Sequence, residues 1–393
     1  MQASCPAVQM AVSSRSAPKA PSRELRFLGA AQLRQLLVRR QLSVVEYVTE
    51  LLDAITVENH VLNAFIDLHH DEALLAARRA DQAFSRGLAA GPLHGLPFAI
   101  KDMIDVKGRR TTAQSDLFRD NIATHDATVT RRLRDAGAIL IGKLTLEEFG
   151  IGSPLDPLPW PAARNPWKIE HTPGGSSSGC GVALAAGHVP LAIGTDTGGS
   201  VRNPAAMCGV VGLKPTYDLV SRQGVFPLAP SLDHVGLMAR TAEDCALLLD
   251  VLADKPCSTM PTIANACSGK PLAGLRVGVL AHFYTREPGA DDETLAAIAT
   301  ASRQLACLGA DLSDVTASDL QAYHRCGATI LHVEAHAVTA DFWRARTNAT
   351  EPVAATSCSR GRLTRPRNMP RRSAVVVPSR PRSSACWKAR TSF

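Results

Sequence analysis

The ten cysteines of this 393-residue chain include no C-x-x-C pair, which excludes the common zinc and dithiol-redox patterns. Reduced thiols in a cytoplasm are the expectation. Apolar stretches never reach the roughly eighteen residues that a membrane-crossing helix needs, so no membrane span is expected. The first 23 residues hold Arg15, Lys19 and Arg23 without a single acid, and they lack the apolar core of a secretory signal. Residues 1–25 are therefore expected to be a disordered leader, an organelle transit peptide being the alternative with a similar composition. No internal repeat is present.

Apolar bulk is plentiful. With 45% of its residues hydrophobic, the chain can bury a large core in one or two domains. Residues 26–90 read as an N-terminal helical segment. Within it Ser43-Val44-Val45-Glu46 is a capping box that opens a helix with apolar Val45, Val48, Leu51, Leu52 and Ile55, and a second helix is predicted over Asp71 to Ser85. From Gly91 onward strands alternate with helices, the pattern of an α/β fold with a mixed sheet. Gly274 to Leu280 reads as a strand, Asp291 to Leu308 as an amphipathic helix, and Gly309 to Leu312 as the approach to another strand. Lys255 to Pro271, with its prolines, serines and cysteines, reads as a surface connection.

Two glycine-rich turns draw attention to the serines they carry. Between Gly174 and Pro204 the chain reads GGSSSGCGVALAAGHVPLAIGTDTGGSVRNP, with three consecutive serines on the first turn and Ser200 on the second. Glycine lets backbone amides approach a ligand closely. Gly198, Gly199 and Ser200 follow the apolar run Val189 to Gly194, a predicted buried strand. Amides in such a turn can form an oxyanion hole, each donor contributing roughly 3 kcal/mol to the transition state, with Ser200 as nucleophile. The plainer alternative is a tight turn whose serines satisfy backbone groups.

A serine hydroxyl needs a neighbouring base. Gly175 to Gly179 matches G-x-S-x-G, with Ser177 as nucleophile and Asp233 and His234 as partners. That elbow requires a strand before the serine, whereas Glu170-His171-Thr172-Pro173 offers none, and adjacent Asp233 and His234 are poorly placed to line up on one serine. The other available base is a buried lysine, made neutral by desolvation. Lys101 closes the apolar run Gly95 to Ile100, and Lys143 closes Ile139 to Gly142. The chemistry of the residues does not choose between them, and an ion pair of Lys101 with Asp102 or Asp105 is the structural alternative.

Taken together, these residues resemble the amidase signature family. The resemblance rests on GGSSSG, on Gly194-Thr195-Asp196-x-Gly198-Gly199-Ser200-Val201-Arg202-x-Pro204 with Ser176 and Ser200 twenty-four residues apart, and on Cys208 to Thr216. Gly95 to Asp102 is similar to the family's lysine motif, and Ser231 to Gly236 fits as well. The resemblance runs from about residue 25 to about residue 345. It implies a layered α/β/α fold over 91–345, with Lys101 as base, Ser176 as bridging serine after a cis peptide with Gly175, and Ser200 as nucleophile. Backbone amides of Thr197, Gly198, Gly199 and Ser200 are then the expected oxyanion donors. Lys143 falls outside this motif. Asp196 and Arg202 are expected to brace the second loop as a bidentate pair, while Cys180 and Cys208 are expected to be small buried hydrophobes. No metal or organic cofactor is implied. The N-terminal helices pack on the main domain in this family and often join subunit contacts, so a homodimer is a candidate assembly.

The tail differs in kind. Residues 347–393 hold ten Lys or Arg and one acid, a net +9 against +7 for the whole chain, so the other residues carry −2. The basic balance therefore says nothing about the substrate. With only Trp387 and Phe393 as aromatics, the tail lacks a base-stacking platform, and neither nucleic acid nor membrane is expected as a partner. This basic Ser/Pro/Arg-rich stretch, 346–393, stands where the family completes its sheet and pocket. A frameshift near Arg346 is the expectation it raises, since out-of-frame reading of GC-rich DNA yields Arg, Pro, Ser, Ala and Cys. Three functions follow. An amidase acting on a small-molecule amide is the first expectation. The glutaminase subunit of a tRNA-dependent amidotransferase, working with partner subunits, is the second. An inactive, truncated family member is the third. The loop Ser153 to Pro161 and the triple serine resemble free-standing amidases more than that subunit.

Overall fold

The computed structural model describes residues 23–88, 91–151, 159–254, 272–285, 290–317 and 320–347, with the backbone alone at 23–24 and from 341 onward. Residues 1–22 of the expected leader, the connection 255–271, the loop at 152–158 and the basic tail beyond 347 lie outside the described residues, whereas residues 23–25 of that leader belong to a 3-10 helix, Arg23–Phe27, whose Leu25 packs on the core.

Helix α1 (Ala30–Val38) and helix α2 (Val44–Leu62) are the first α-helices among the described residues. Ser43 caps α2 through its hydroxyl, which accepts from Glu46 N at 3.0 Å, while the Glu46 carboxylate accepts from Ser43 N at 3.1 Å. The helix then buries Val44, Tyr47, Val48, Leu51, Leu52 and Ile55 on one face, and Asn63 ends it in a left-handed conformation. Helix α3 (His70–Ser85) packs on α2 and leaves a strand between them, β1 (Phe65–Leu68), so the segment 26–90 is not helical throughout.

The main sheet has six strands in the order β1-β3-β2-β4-β6-β5. At its centre lie β2 (Pro97–Lys101), β3 (Ile139–Leu144) and β4 (Leu191–Asp196), mutually parallel and buried at every position. Continuous apolar runs are what a parallel strand covered on both faces requires. Strands β6 (His234–Ala239) and β5 (Val211–Leu213) extend one side and β1 the other, all through antiparallel pairing. Helix α5 (Ser178–Ala185) packs across β2, β3, β4 and β6. Helix α7 (Ala242–Leu252) covers β5 and β6, and α4 (Thr128–Asp135) and α1 lean on α7. Helix α6 (Arg202–Cys208) follows the second glycine turn and packs on α5. A mixed sheet flanked by helices is the architecture expected of the sequence.

Beyond α7, β7 (Arg276–Val279) and β8 (Asp311–Asp314) pair in parallel as a separate two-stranded sheet. The crossover between them is α8 (Asp292–Cys307), whose capping residue Asp291 accepts from Thr294 N at 2.7 Å. Such a strand, helix, strand unit is the usual way to join parallel neighbours. Helix α9 (Leu320–Thr347) closes the described chain, with the Glu334 carboxylate accepting from Ser231 N at 2.9 Å and Leu331 lying over Gly198. No helix among the described residues is long and apolar enough to cross a membrane.

Candidate active site

Adjacent parallel strands β2 and β4 end at Lys101 and Asp196, and the two serine-bearing loops gather at these carboxyl ends. Ligands in open α/β sheets collect at such ends. Lys101 is fully buried, and its Nζ donates to Ser176 Oγ and to Thr195 Oγ1, each at 2.8 Å. Burial lowers its pKa to about 8, against a counter-pull from Glu147, Asp196 and Asp233. The neighbouring Cys180 thiol is itself pushed by burial up to about 12, so it stays neutral near pH 7.

Lys143 differs sharply. It is also fully buried, but its Nζ lies 2.7 Å from Asp102 Oδ1 and donates to Arg110 O and Thr111 Oγ1. Of the two carboxylates that the sequence offered to Lys101, Asp102 is thus taken by its rival. In the β2–β3 register Lys101 stands opposite Leu144 and Lys143 opposite Ile100, so strand alternation sends the two lysines to opposite faces.

The Gly175–Ser176 peptide bond is cis, and Gly175 N donates to Asn203 Oδ1 at 3.0 Å. Ser176 is buried beside Lys101. Ser177, at the N-cap of α5, points elsewhere: its hydroxyl donates to Thr195 O at 3.1 Å and accepts from Thr195 N at 3.3 Å. No strand precedes it. The partners that G-x-S-x-G would need are engaged as well. Asp233 accepts from Thr197 Oγ1, Leu228 N and Ala229 N, and His234 Nδ1 meets Leu232 O at 2.6 Å. Since a carbonyl only accepts, that ring nitrogen carries the proton, and Nε2 accepts from Lys214 Nζ at 3.2 Å.

Ser200 is half-buried, and its carbonyl accepts from Ser177 N at 3.1 Å, which sets the second glycine loop against the first. Asp196 anchors that loop from beneath. Its carboxylate takes a fork from Arg202, Nε at 3.0 Å and Nη2 at 2.9 Å, together with Gly199 N at 2.9 Å and Val201 N at 3.2 Å. Burial alone would raise the Asp196 carboxyl, but these donors outweigh it and hold the group below the usual carboxylate range. The same contacts correct one expectation. Gly199 N is spent on Asp196, so of the four expected oxyanion donors the amides of Thr197, Gly198 and Ser200 are those not directed there. Gly199 has φ 126°, and a Cβ there would meet nothing within 4 Å, so glycine is required by conformation rather than by space.

Asp196→Ala is expected to cost about 2 kcal/mol, because it strands three loop amides, those of Gly199, Val201 and Arg202, as well as the guanidinium. Arg202→Ala, whose side chain is 53% exposed, is expected to cost about 1 kcal/mol or less. Urea unfolding of both variants checks the order, and equal losses would contradict the bracing role.

Two neighbours were not anticipated. Thr195 shares the Lys101 ammonium, and its place inside the Gly-Thr-Asp motif is the signal that could have found it. Glu147 packs its carboxylate against Gly175, where an added Cβ would lie 2.0 Å from Oε1, and its N donates to Ser176 O at 3.2 Å. Cys180 and Cys208 are buried, with Sγ atoms directed at Ile193 O and Pro173 O. Beside Thr195, which accepts from Lys101 Nζ, lies a cavity of about 170 Å³, bounded there by Met103, Thr195 and Thr197. Among the described residues no group of three or more His, Cys, Asp or Glu side chains could hold a metal ion.

Comparison with known proteins decides the family. The model described as Amidase matches residues 46–377. The chain belongs to the amidase signature family. The match continues past residue 345, where the resemblance read from motifs stops, into residues that are not described. The glutamyl-tRNA(Gln) amidotransferase A subunit of Azoarcus sp. (strain BH72) is 44% identical over 297 residues, 73% of this chain and 60% of that protein. This amidase signature chain therefore spans about 60% of the length of the curated relatives it matches. Among solved structures, native peptide amidase from Stenotrophomonas maltophilia is 33% identical with a TM-score of 0.71, covering 84% of this chain and 69% of that one. A protein from a vestigial complex, described as bearing on the evolutionary origins of an s-triazine catabolic enzyme, is 32% identical with a TM-score of 0.77 over 86% of this chain and 74% of that one.

Proposed function

We propose that this chain hydrolyses a carboxamide C–N bond through a serine acyl-enzyme, with Lys101, Ser176 and Ser200 as an ordered relay. The observation that carries the reading is the Lys101 amine, buried beside Ser176 Oγ at 2.8 Å while Asp102 is held by Lys143. A lysine kept from a carboxylate and from water can be neutral at working pH, as a base must be.

In the neutral state the Ser176 hydroxyl donates to Nζ. Ser200 Oγ attacks the amide carbonyl, its proton passes to Ser176, and the Ser176 proton passes to Lys101. The developing oxyanion is held by amides of Thr197, Gly198 and Ser200. Collapse breaks the C–N bond as a proton returns through Ser176 to the leaving nitrogen, releasing ammonia or an amine. Water then attacks the acyl-enzyme with the same groups as base, releasing the acid and restoring Ser200. Fluorophosphonate labelling of the full chain tests the assignment. Labelling is expected to vanish in Ser200→Ala and persist in Ser177→Ala; the reverse pattern would return the nucleophile to Ser177.

A second reading is favoured by the names of the curated relatives at 39–44% identity, which are amidotransferase A subunits. Under it the amide is glutamine and the ammonia passes to a partner protein. Copurification with small partner subunits and tRNA-dependent glutamine turnover would select it.

A further inference from the structure

We propose that the cavity beside the relay is the acyl subsite, and that it selects amides with an apolar acyl group over those whose acyl group carries a charge. The inference rests on the proposed function and names its substrate class. Its position comes first. Thr197, one of the proposed oxyanion donors, lines the cavity, as does Met103, whose Sδ shares the surroundings of Gly150 with Ser176 Oγ. The space therefore begins where the scissile carbonyl would sit. Its far wall is Val225, Phe226, Pro227, Leu228 and Pro230. It measures about 170 Å³, room for a short acyl chain.

The charged groups on the rim sharpen the class, because each is already committed. Arg222 donates to Pro230 O, to Tyr217 Oη at 2.9 Å and to Asp218 Oδ1 at 2.8 Å, with its guanidinium 4.6 Å from the Tyr217 ring centre. Asp233 has Thr197 Oγ1 at 2.6 Å, Ala229 N at 3.0 Å and Leu228 N at 2.9 Å on its two oxygens. His234 has both ring nitrogens engaged, by Leu232 O and Lys214 Nζ. An acyl group with its own ammonium or carboxylate would lose water there and displace these bonds to regain partners. An apolar chain loses nothing, and gains about fourfold in affinity per buried methylene.

The test is calorimetric binding to the full-length Ser200→Ala protein, which needs no turnover. Butyramide is expected to bind about sixteenfold more tightly than acetamide, and glutamine more weakly than butyramide. Val225→Phe, which fills the cavity, is expected to erase the gain of butyramide over acetamide. Affinity that is flat with acyl length, that prefers glutamine, or that follows the N-substituent of N-alkylacetamides would overturn the subsite. Absence of turnover in the wild-type chain with the length series intact would instead remove the proposed catalysis and leave the subsite standing.

Discussion

Lys101→Met is expected to lower kcat/KM for amide hydrolysis by about a thousandfold and to abolish its dependence on pH near 8. In the proposed relay the lysine can act as a base only when neutral, and burial lowers its pKa to about 8. Roughly a tenth of the protein is then competent at pH 7, and activity should climb to a plateau above about pH 8. Methionine matches the stem and the burial but cannot take a proton. A stability measurement separates this from misfolding. In the unfolded chain the lysine binds its proton up to about 10.5, in the folded chain only to about 8, so the unfolded state holds more protons between those values. Wild-type stability should therefore rise as pH passes from 8 toward 10.5, and the variant should lack that rise. A variant with a normal fold and an unchanged pH profile would remove Lys101 from the relay.

Gly179→Ala is expected to destabilise the protein by about 3 kcal/mol or more, the upper end of what an overpacked core costs. A Cβ there would lie 2.5 Å from Ala64 O and 2.7 Å from both Thr145 N and Thr145 O. All three are backbone atoms, and none can swing aside. They belong to the turn entering β1 and the end of β3, so relief must come from lifting α5 off the sheet. Since Ser176 precedes α5, activity should fall even where the fold survives. Urea unfolding followed by circular dichroism, beside an ammonia-release assay, checks both losses. A stability within about 0.5 kcal/mol of wild type would mean that α5 seats more loosely than these distances state.

Much of this was legible in the sequence wherever one residue type implies one geometry. The apolar runs before Lys101, Lys143 and Asp196 became β2, β3 and β4, because strands buried on both faces cannot alternate. The Ser43 capping box began α2 at the expected place. The two lysines stayed equivalent, because only pairing shows that β2 and β3 are neighbours and that alternation turns Asp102 toward Lys143. The diversion of Gly199 N to Asp196 was hidden for a related reason: a loop amide's direction depends on a φ that glycine leaves open. Strand β1 was missed because a four-residue edge strand with a single buried position carries little pattern.

The place of β4 gives the site a cooperative character. That strand lies between β2 and β6 and is hydrogen-bonded along both edges, with Asp196 at its tip anchoring the loop of Ser200. Lys101 reaches Ser176 and Thr195 only when β4 has been laid beside β2. No fragment carrying one half of these contacts holds the other half in register. The proposed chemistry therefore cannot assemble ahead of the sheet, and the contacts of Lys101 with Ser176 and Thr195 report on the integrity of the whole central core.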